Sequence, residues 1–565
     1  MSSVALPSAP MRIIDRERWL AIALAALLLL ALLLGVGAPL LSILGKATTD
    51  GAGRWVGAAQ LVAVVSSPGF VGALANSFTA SLITVAVVLP LAYAFAAALT
   101  RTAMPGKALS RALALIPLLA PSLLPGISLV YLFGNQGLFR SLLPAGSSIY
   151  GLWGIVIGEA FYTFPHALMI LITALSLSDQ SLHDAARALG AGPFKRWLAV
   201  TFPGVRYGLA SAALVVFTLV ITDFGVPKVI GGGYNVLSLE AYKQVIGQQN
   251  FPRGAVIGLL LLAPAVLTFF VDRTLQRRQR GGLGARARPL VPQRHLPTDL
   301  AGATVCMLIS SLLVLMLGIS IAAAFMTQWP YNLSPTLRNF DFENMDGGGW
   351  LAYRNSLLIA LGTAAAGVVA VFGGAYLSEK RALPELLNGA IRMLAIVPMA
   401  VPGLVLGLGY IFFFNAPANP LHGLYGTLAI MVLCTVAHFY TTAHMTAVTA
   451  LKQLDNDFED VAASLRVPFW KTFARVTVPV CLPAILEIAR YFFISAMTTV
   501  SALVFLYTPD TVIASVAVLN MDDAGDTAAA AAMASMIVGT SAAASLIFAL
   551  LSAGVVRRNG AWRHR

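Results

Sequence analysis

Residues 184–203, DAARALGAGPFKRWLAVTFP, and residues 460–479, DVAASLRVPFWKTFARVTVP, align without a gap at an offset of 276, and each lies between long apolar runs. A polar, charged segment repeated outside apolar runs needs a partner in water. The duplication therefore points to two copies of one membrane module, each presenting the same docking element.

Composition agrees with a chain in lipid. Of its 565 residues 58% are apolar and 11% charged, against roughly 25% charged in a soluble domain. Twelve apolar runs are long enough to span a hydrocarbon core of about 30 Å as helices. They cover 20–44, 70–99, 113–133, 152–177, 207–226 and 255–271, then 301–326, 356–377, 391–414, 425–451, 484–506 and 528–556. The expected fold is an all-α integral membrane protein of about 12 transmembrane helices in two parallel six-helix modules. Its parts are a cytoplasmic segment 1–18, a first module 19–272, a cytoplasmic linker 273–298, a second module 299–556 and a cytoplasmic tail 557–565. The linker, RTLQRRQRGGLGARARPLVPQRHLP in its first 25 residues, is dense in Arg, Gly and Pro and has no apolar face.

A net charge of +13 raises the question of nucleic acid, and the distribution of the basic residues answers it. With both termini cytoplasmic, 29 of the 37 Lys and Arg residues fall on the inner side. This is a topology signal, and no nucleic-acid partner is expected. Arg12, Arg16 and Arg18 precede an apolar run too long for a signal-peptide core, so the first span is expected to be retained. Cys306, Cys434 and Cys481 lie in or beside apolar runs at no metal-ligand spacing.

The halves match beyond the two loops. Asn76-Ser77 and Asn355-Ser356 open corresponding spans, and Pro117, Pro121 and Pro125 answer to Pro398 and Pro402 in the next ones. Those prolines free backbone groups, consistent either with bending of pathway-facing helices or with structural kinks. Six spans per half keep both copies in one orientation, so both loops face one compartment and a cavity falls at the shared interface.

In the first loop Leu182, Ala185, Ala186 and Leu189 share one helical face, as do Phe458, Val461, Ala462 and Leu465 in the second. Ser178 and Asp179 are candidate caps for the first helix, and Asp455, Asn456 and Asp457 for the second. Gly190 offers a left-handed terminus, Pro193 and Pro468 open second short helices, and Pro203 and Pro479 are expected to end them. Small alanines with Lys195, Arg196, Lys471 and Arg475 as a charged rim suit insertion into a groove. An amphipathic segment lying on the membrane is the other reading.

The pattern Glu-Ala-Ala, three residues, Gly, nine residues, then Ile-x-Leu-Pro marks permease subunits of binding-protein-dependent ABC importers. The first loop resembles it through Asp184-Ala185-Ala186, Gly190, Val200 and Phe202-Pro203. The second keeps Asp460-Val461-Ala462 and Pro479 but carries Arg466 where Gly is expected, which implies a differently built turn or a longer helix. The resemblance covers nearly the whole chain, as a fused permease of the type I ABC importer kind. Stretches 221–255 and 496–509 look most like 2-aminoethylphosphonate permeases, with ferric iron and thiamine permeases as the alternatives.

The resemblance implies two copies of a separate ABC ATPase carrying ATP and Mg, a periplasmic substrate-binding protein, a bacterial inner-membrane location and no cofactor on this chain. It also implies a permease rather than an enzyme; no GxxxxGK[ST] run occurs in the sequence. The candidate coupling residues are Asp184, Ala185, Ala186, Gly190, Pro203, Asp460, Ala462, Arg466 and Pro479. Thr222 and Asp223, matched by Thr498 and Thr499, are the candidates for the translocation pathway. Glu159, His166, His438 and His444 read as interhelical hydrogen-bonding groups. Asp510, Asp522 and Asp523, with Lys228, Lys243 and Arg253, either orient the binding protein or are solvated. An ion-coupled secondary transporter is the rival class; it needs embedded carboxylates, which are scarce here.

Overall fold

The computed structural model describes residues 10–177, 179–280, 290, 292–345, 347–455 and 457–563. The candidate caps Ser178 and Asn456, linker residues 281–289 and 291, and termini 1–9 and 564–565 lie outside the described residues. Nine helices among those described are long and apolar enough to cross a membrane, or 12 if each of three bent pairs is one span.

Two of the expected spans are bent pairs, and the second loop joins its span through a third. Run 113–133 is a helix pair, Lys107–Leu119 and Leu124–Phe133, meeting at 102°, and run 391–414 is Glu385–Ala400 and Gly403–Phe414 at 115°. The prolines cause both bends, because a residue preceding Pro is driven out of the helical region. Ala120 before Pro121 takes φ −105°, ψ 143°, and Val401 before Pro402 takes φ −106°, ψ 115°. The third pair, Phe469–Val480 and Leu482–Thr498, bends by 78°.

The repeat extends to side-chain hydrogen bonds. Ser77 Oγ accepts the Leu237 N–H at 2.7 Å, and Ser356 Oγ accepts the Ala514 N–H at 2.8 Å. The Asn76 amide donates to the Asn235 carbonyl at 2.9 Å, and the Asn355 amide to the Val512 carbonyl at 3.0 Å. Asn-Ser thus ties one long span to residues 235–237 in the first half and 512–514 in the second.

The halves interlock. The first span of the first half, Arg16–Ala47, packs against Gly349–Lys380, Glu385–Ile396 and Gly403–Phe414 of the second. In return Leu296–Ala324 packs against Pro68–Arg101 and Leu124–Phe133, where Ser128 and Ser320 hydroxyls meet at 2.8 Å. Gly409 marks how close the first crossing is: a Cβ there would lie 2.7 Å from the Pro39 carbonyl oxygen. Such small-residue contacts let helices approach in lipid, where burial alone gives little drive for association.

The described residues also include extended structure. A two-stranded antiparallel hairpin, Met326–Gln328 with Asn332–Pro335, follows the first span of the second half, and a Thr49–Trp55 bridge follows that of the first. Trp329 of the hairpin donates from Nε1 to the Tyr131 carbonyl at 3.1 Å. At the other face, Phe251–Arg280 continues as helix eight residues into the stretch read as linker, since RTLQRRQR holds good helix formers and no Pro.

Candidate functional site

The two loops are built alike. In the first, the Asp179 carboxylate accepts the Ser181 N–H at 3.0 Å and opens helix Gln180–Ala188. The helix closes in a Schellman turn: Gly190 N–H donates to the Arg187 carbonyl at 2.9 Å and Ala191 N–H to the Ala186 carbonyl at 3.0 Å. A short helix, Pro193–Arg196, and a π-helical turn, Trp197–Thr201, lead into the next span. In the second loop, Asp455 accepts the Asp457 N–H at 3.3 Å, and helix Asp457–Ser464 follows. Arg466 N–H then donates to the Ala463 carbonyl at 3.0 Å and Val467 N–H to the Ala462 carbonyl at 2.9 Å. Phe469–Thr472 and the π turn Phe473–Thr477 complete the copy.

Two expectations change. Arg466 does not impose another turn or a longer helix; it takes φ +55°, the left-handed conformation that Gly190 takes at φ +74°. Backbone geometry is conserved between the loops although the residue suited to it is not. Pro203 does not end its helix, whereas the helix holding Pro479 ends one residue after it. In an α-helix a proline ring presses on the carbonyl four residues back. The π turn widens the ladder just before each proline, with Phe202 N–H reaching the Trp197 carbonyl and Val478 N–H the Phe473 carbonyl. The first segment runs on as one helix to Thr222, and the second breaks at Cys481.

The faces read from the periodicity are unburied. Leu182, Leu189 and Phe194 are exposed in the first loop, as are Phe458, Val461 and Leu465 in the second, Leu189 at 87% and Leu465 at 70%. Asp184 and Asp460 are exposed, and Ala186 and Ala462 half-buried. Gln180 donates to Asp184 at 2.8 Å. Phe458, Val461, Leu465, Lys471 and Arg475 line an open groove of about 720 Å³. Apolar side chains this exposed, ringed by Lys and Arg, form a surface complementary to an apolar cleft on another protein.

The four pathway candidates occupy equivalent breaks. Helix Phe202–Thr222 ends at Asp223, whose carbonyl accepts from Ser238 Oγ at 2.5 Å, and helix Leu482–Thr498 ends at Thr499, whose carbonyl accepts from Ser515 Oγ at 2.6 Å. The hydroxyls of Thr222 and Thr498 turn back to the carbonyls of Thr218 at 2.7 Å and Ile494 at 3.0 Å. Asp223 and Thr499 are each 8% exposed. The Asp223 carboxylate accepts the Val226 N–H at 2.8 Å and faces the carboxyl of Glu159. Glu159 is fully buried with its carboxyl against that of Asp223, and among the described residues the Nδ1 atoms of His166, His438 and His444 have no hydrogen-bond partner.

Sequence reasoning missed a contact between halves at the hairpin face. Lys228 Nζ lies 2.9 Å from an Asp523 carboxylate oxygen and 5.7 Å from the Tyr242 ring centroid, and Tyr242 lies 6.1 Å from Phe505. Burial, with Asp523 beside it, pushes the Asp522 carboxyl up to about 6. Lys243 donates to Asn235 at 2.9 Å. Lys228 and Asp523 are thus paired with each other, with the Asp523 side chain still partly exposed, and no repeat signal marks them because position 504, the counterpart of Lys228, is Val.

The family model described as "Binding-protein-dependent transport system inner membrane component" matches residues 89–281 and again 370–557. Among curated proteins, the chain is 28% identical to the putative ferric transport system permease protein FbpB 1 of Haemophilus influenzae, over 74% of this chain and 67% of that protein. It is 26% identical to the ferric transport system permease protein FbpB of Actinobacillus pleuropneumoniae, over 88% and 72%. To the thiamine transport system permease protein ThiP of Escherichia coli it is 26% identical, over 65% and 66%.

Proposed function

This chain belongs to the family of binding-protein-dependent transport system inner membrane components, and from that premise we propose that it carries solute inward under drive from two copies of a separate ATPase. It is a multi-pass inner-membrane permease subunit, not an enzyme. The observation that carries the proposal is the helix-turn-helix built twice, with the same cap, the same Schellman turn and the same exposed apolar face.

Each loop enters a groove on one ATPase copy through Leu182 and Leu189, or through Phe458 and Leu465. Asp184, Ala185, Ala186 and Gly190 shape the first contact; Asp460, Ala462 and Arg466 shape the second. Pro203, held inside continuing helix, makes the first loop a rigid extension of its span, whereas Pro479 lies just before the bend that joins the second loop to its span. When ATP and Mg close the ATPase pair, the loops are drawn together and the halves tip about their interlocked first spans. Hydrolysis resets them, and this chain transmits the motion without covalent chemistry. Both termini lie in the cytoplasm, a periplasmic binding protein delivers solute at the hairpin face, and Thr222, Asp223, Thr498 and Thr499 line the passage.

For the solute, stretches 221–255 and 496–509 support 2-aminoethylphosphonate, whereas the relatives' names favour ferric iron or thiamine. Titrating the cognate binding protein with all three, then measuring ATP-dependent uptake of the one that binds, separates the readings. Uptake that continues without ATP and collapses with an uncoupler returns the ion-driven rival.

A further inference from the structure

The second loop carries a strained residue where the first carries Gly, and it is fastened through a carboxylate where the first is not. Glu459 lies on helix Asp457–Ser464 with its side chain 12% exposed. Its carboxylate accepts from Tyr376 Oη at 2.9 Å through Oε1 and from Arg381 Nη2 at 2.9 Å through Oε2. Arg381 Nη2 also donates to Tyr376 Oη at 2.9 Å, and the guanidinium stacks 4.7 Å from the ring centroid of Phe469 in the second short helix. One arginine thereby holds both helices of the loop to the end of Gly349–Lys380. Charge-assisted hydrogen bonds around a buried tyrosine, with a stacked guanidinium, make a directional joint that lysine could not reproduce.

The first loop is joined to its long helix differently: Trp197 Nε1 donates to Tyr93 Oη of Pro68–Arg101 at 2.7 Å. The residue 276 positions before Glu459 is His183, and the arginine at the end of Pro68–Arg101 meets it through Arg101 Nη1 and His183 Nε2 at 3.2 Å. Burial and the Arg101 guanidinium hold that imidazole below its ordinary range, which favours the neutral ring accepting from the guanidinium. That loop instead closes on Gly190, to which φ +74° costs little.

We propose that Glu459, Arg381 and Tyr376 are positioning residues of the second coupling loop, and that their clamp compensates for the left-handed strain of Arg466 so that both loops reach the ATPase in the same geometry. The proposal rests on the reading of these loops as ATPase contacts, but its first test does not. Amide exchange is measured by mass spectrometry on the full chain in nanodiscs, without ATPase. Glu459→Gln is expected to speed corrected exchange across 457–467 by about tenfold, the loss of one charge-assisted hydrogen bond, and to leave 180–191 unchanged. Adding Arg466→Gly is expected to recover about two- to fivefold of that loss by removing the left-handed penalty. Solute-stimulated ATPase activity of the assembled complex is expected to fall in Glu459→Gln and return in part in the double variant.

Unchanged exchange in Glu459→Gln overturns the clamp. Failure of Arg466→Gly to recover exchange overturns the compensation. Recovery of exchange with ATPase stimulation unaffected throughout leaves the clamp standing and refutes the coupling role.

Discussion

Arg466→Gly is the perturbation whose outcome the backbone most directly determines. A non-glycine residue in the left-handed region costs roughly 1–2 kcal/mol, and glycine returns about 0.5–1 kcal/mol of that as added freedom of the open chain. The net is about 0.5–1 kcal/mol in favour of the closed turn, or about two- to fivefold slower opening at 1.36 kcal/mol per decade. Gly190→Ala is the mirror experiment. A Cβ at Gly190 meets nothing within 4 Å, so the whole penalty is conformational, and opening is expected to quicken by about two- to tenfold. Exchange of the Val467 and Ala191 amides reads each turn, because these donate the bonds that close it. Faster exchange at Val467 in Arg466→Gly, or unchanged exchange at Ala191 in Gly190→Ala, refutes the reasoning, as would loss of uptake in Arg466→Gly.

Other outcomes are open to measurement. Lys228→Gln removes the ion pair to Asp523 at the hairpin face; because the pair is partly exposed, the loss is expected to be about 1 kcal/mol or less, seen as a wider distribution of spin-label distances between residues 229 and 520 and no change near the loops. Asp522 has its carboxyl pushed up to about 6, so its ionised form opposes folding, and stability falls as pH rises from about 4 through 6. Asp522→Asn is expected to raise the melting temperature at pH 7.5, by an amount on the order of 1–2 kcal/mol after allowance for solvent, and to change little at pH 4; an equal effect at both values refutes this. Asp223→Cys and Thr499→Cys are expected to react with a small thiol reagent more slowly when transported solute is present, against a silent background because Cys306, Cys434 and Cys481 are all buried; solute-independent labelling removes both residues from the passage.

Much of this was legible in the chain. The repeat at offset 276 gave two modules, and the alternation of apolar runs with basic segments gave a helical membrane protein. The loops were readable because their caps and turns depend on local chemistry: Asp179 and Asp455 cap, and Gly190 turns left-handed. Arg466 escaped because nothing in its side chain asks for positive φ; the surrounding clamp and hydrogen bonds impose it. Interlocking of the first spans escaped because lipid-facing and helix-facing apolar residues look alike in sequence. Re-entrant bends at Pro121 and Pro402 were half visible, since the prolines announce a break but not its angle. The Glu459, Arg381 and Tyr376 cluster joins residues 83 apart or less in one half and has no copy in the other, so no repeat pointed to it.

The central claim is that both loops are gripped by ATPase subunits, and site-directed crosslinking in the assembled transporter addresses it most directly. Leu189→Cys and Leu465→Cys, paired with cysteines placed along the apolar groove of the ATPase, are expected to crosslink in both loops and to change yield when ATP is bound. Crosslinks from neither position, with both cysteines instead labelled by reagents confined to the lipid headgroups, would contradict it.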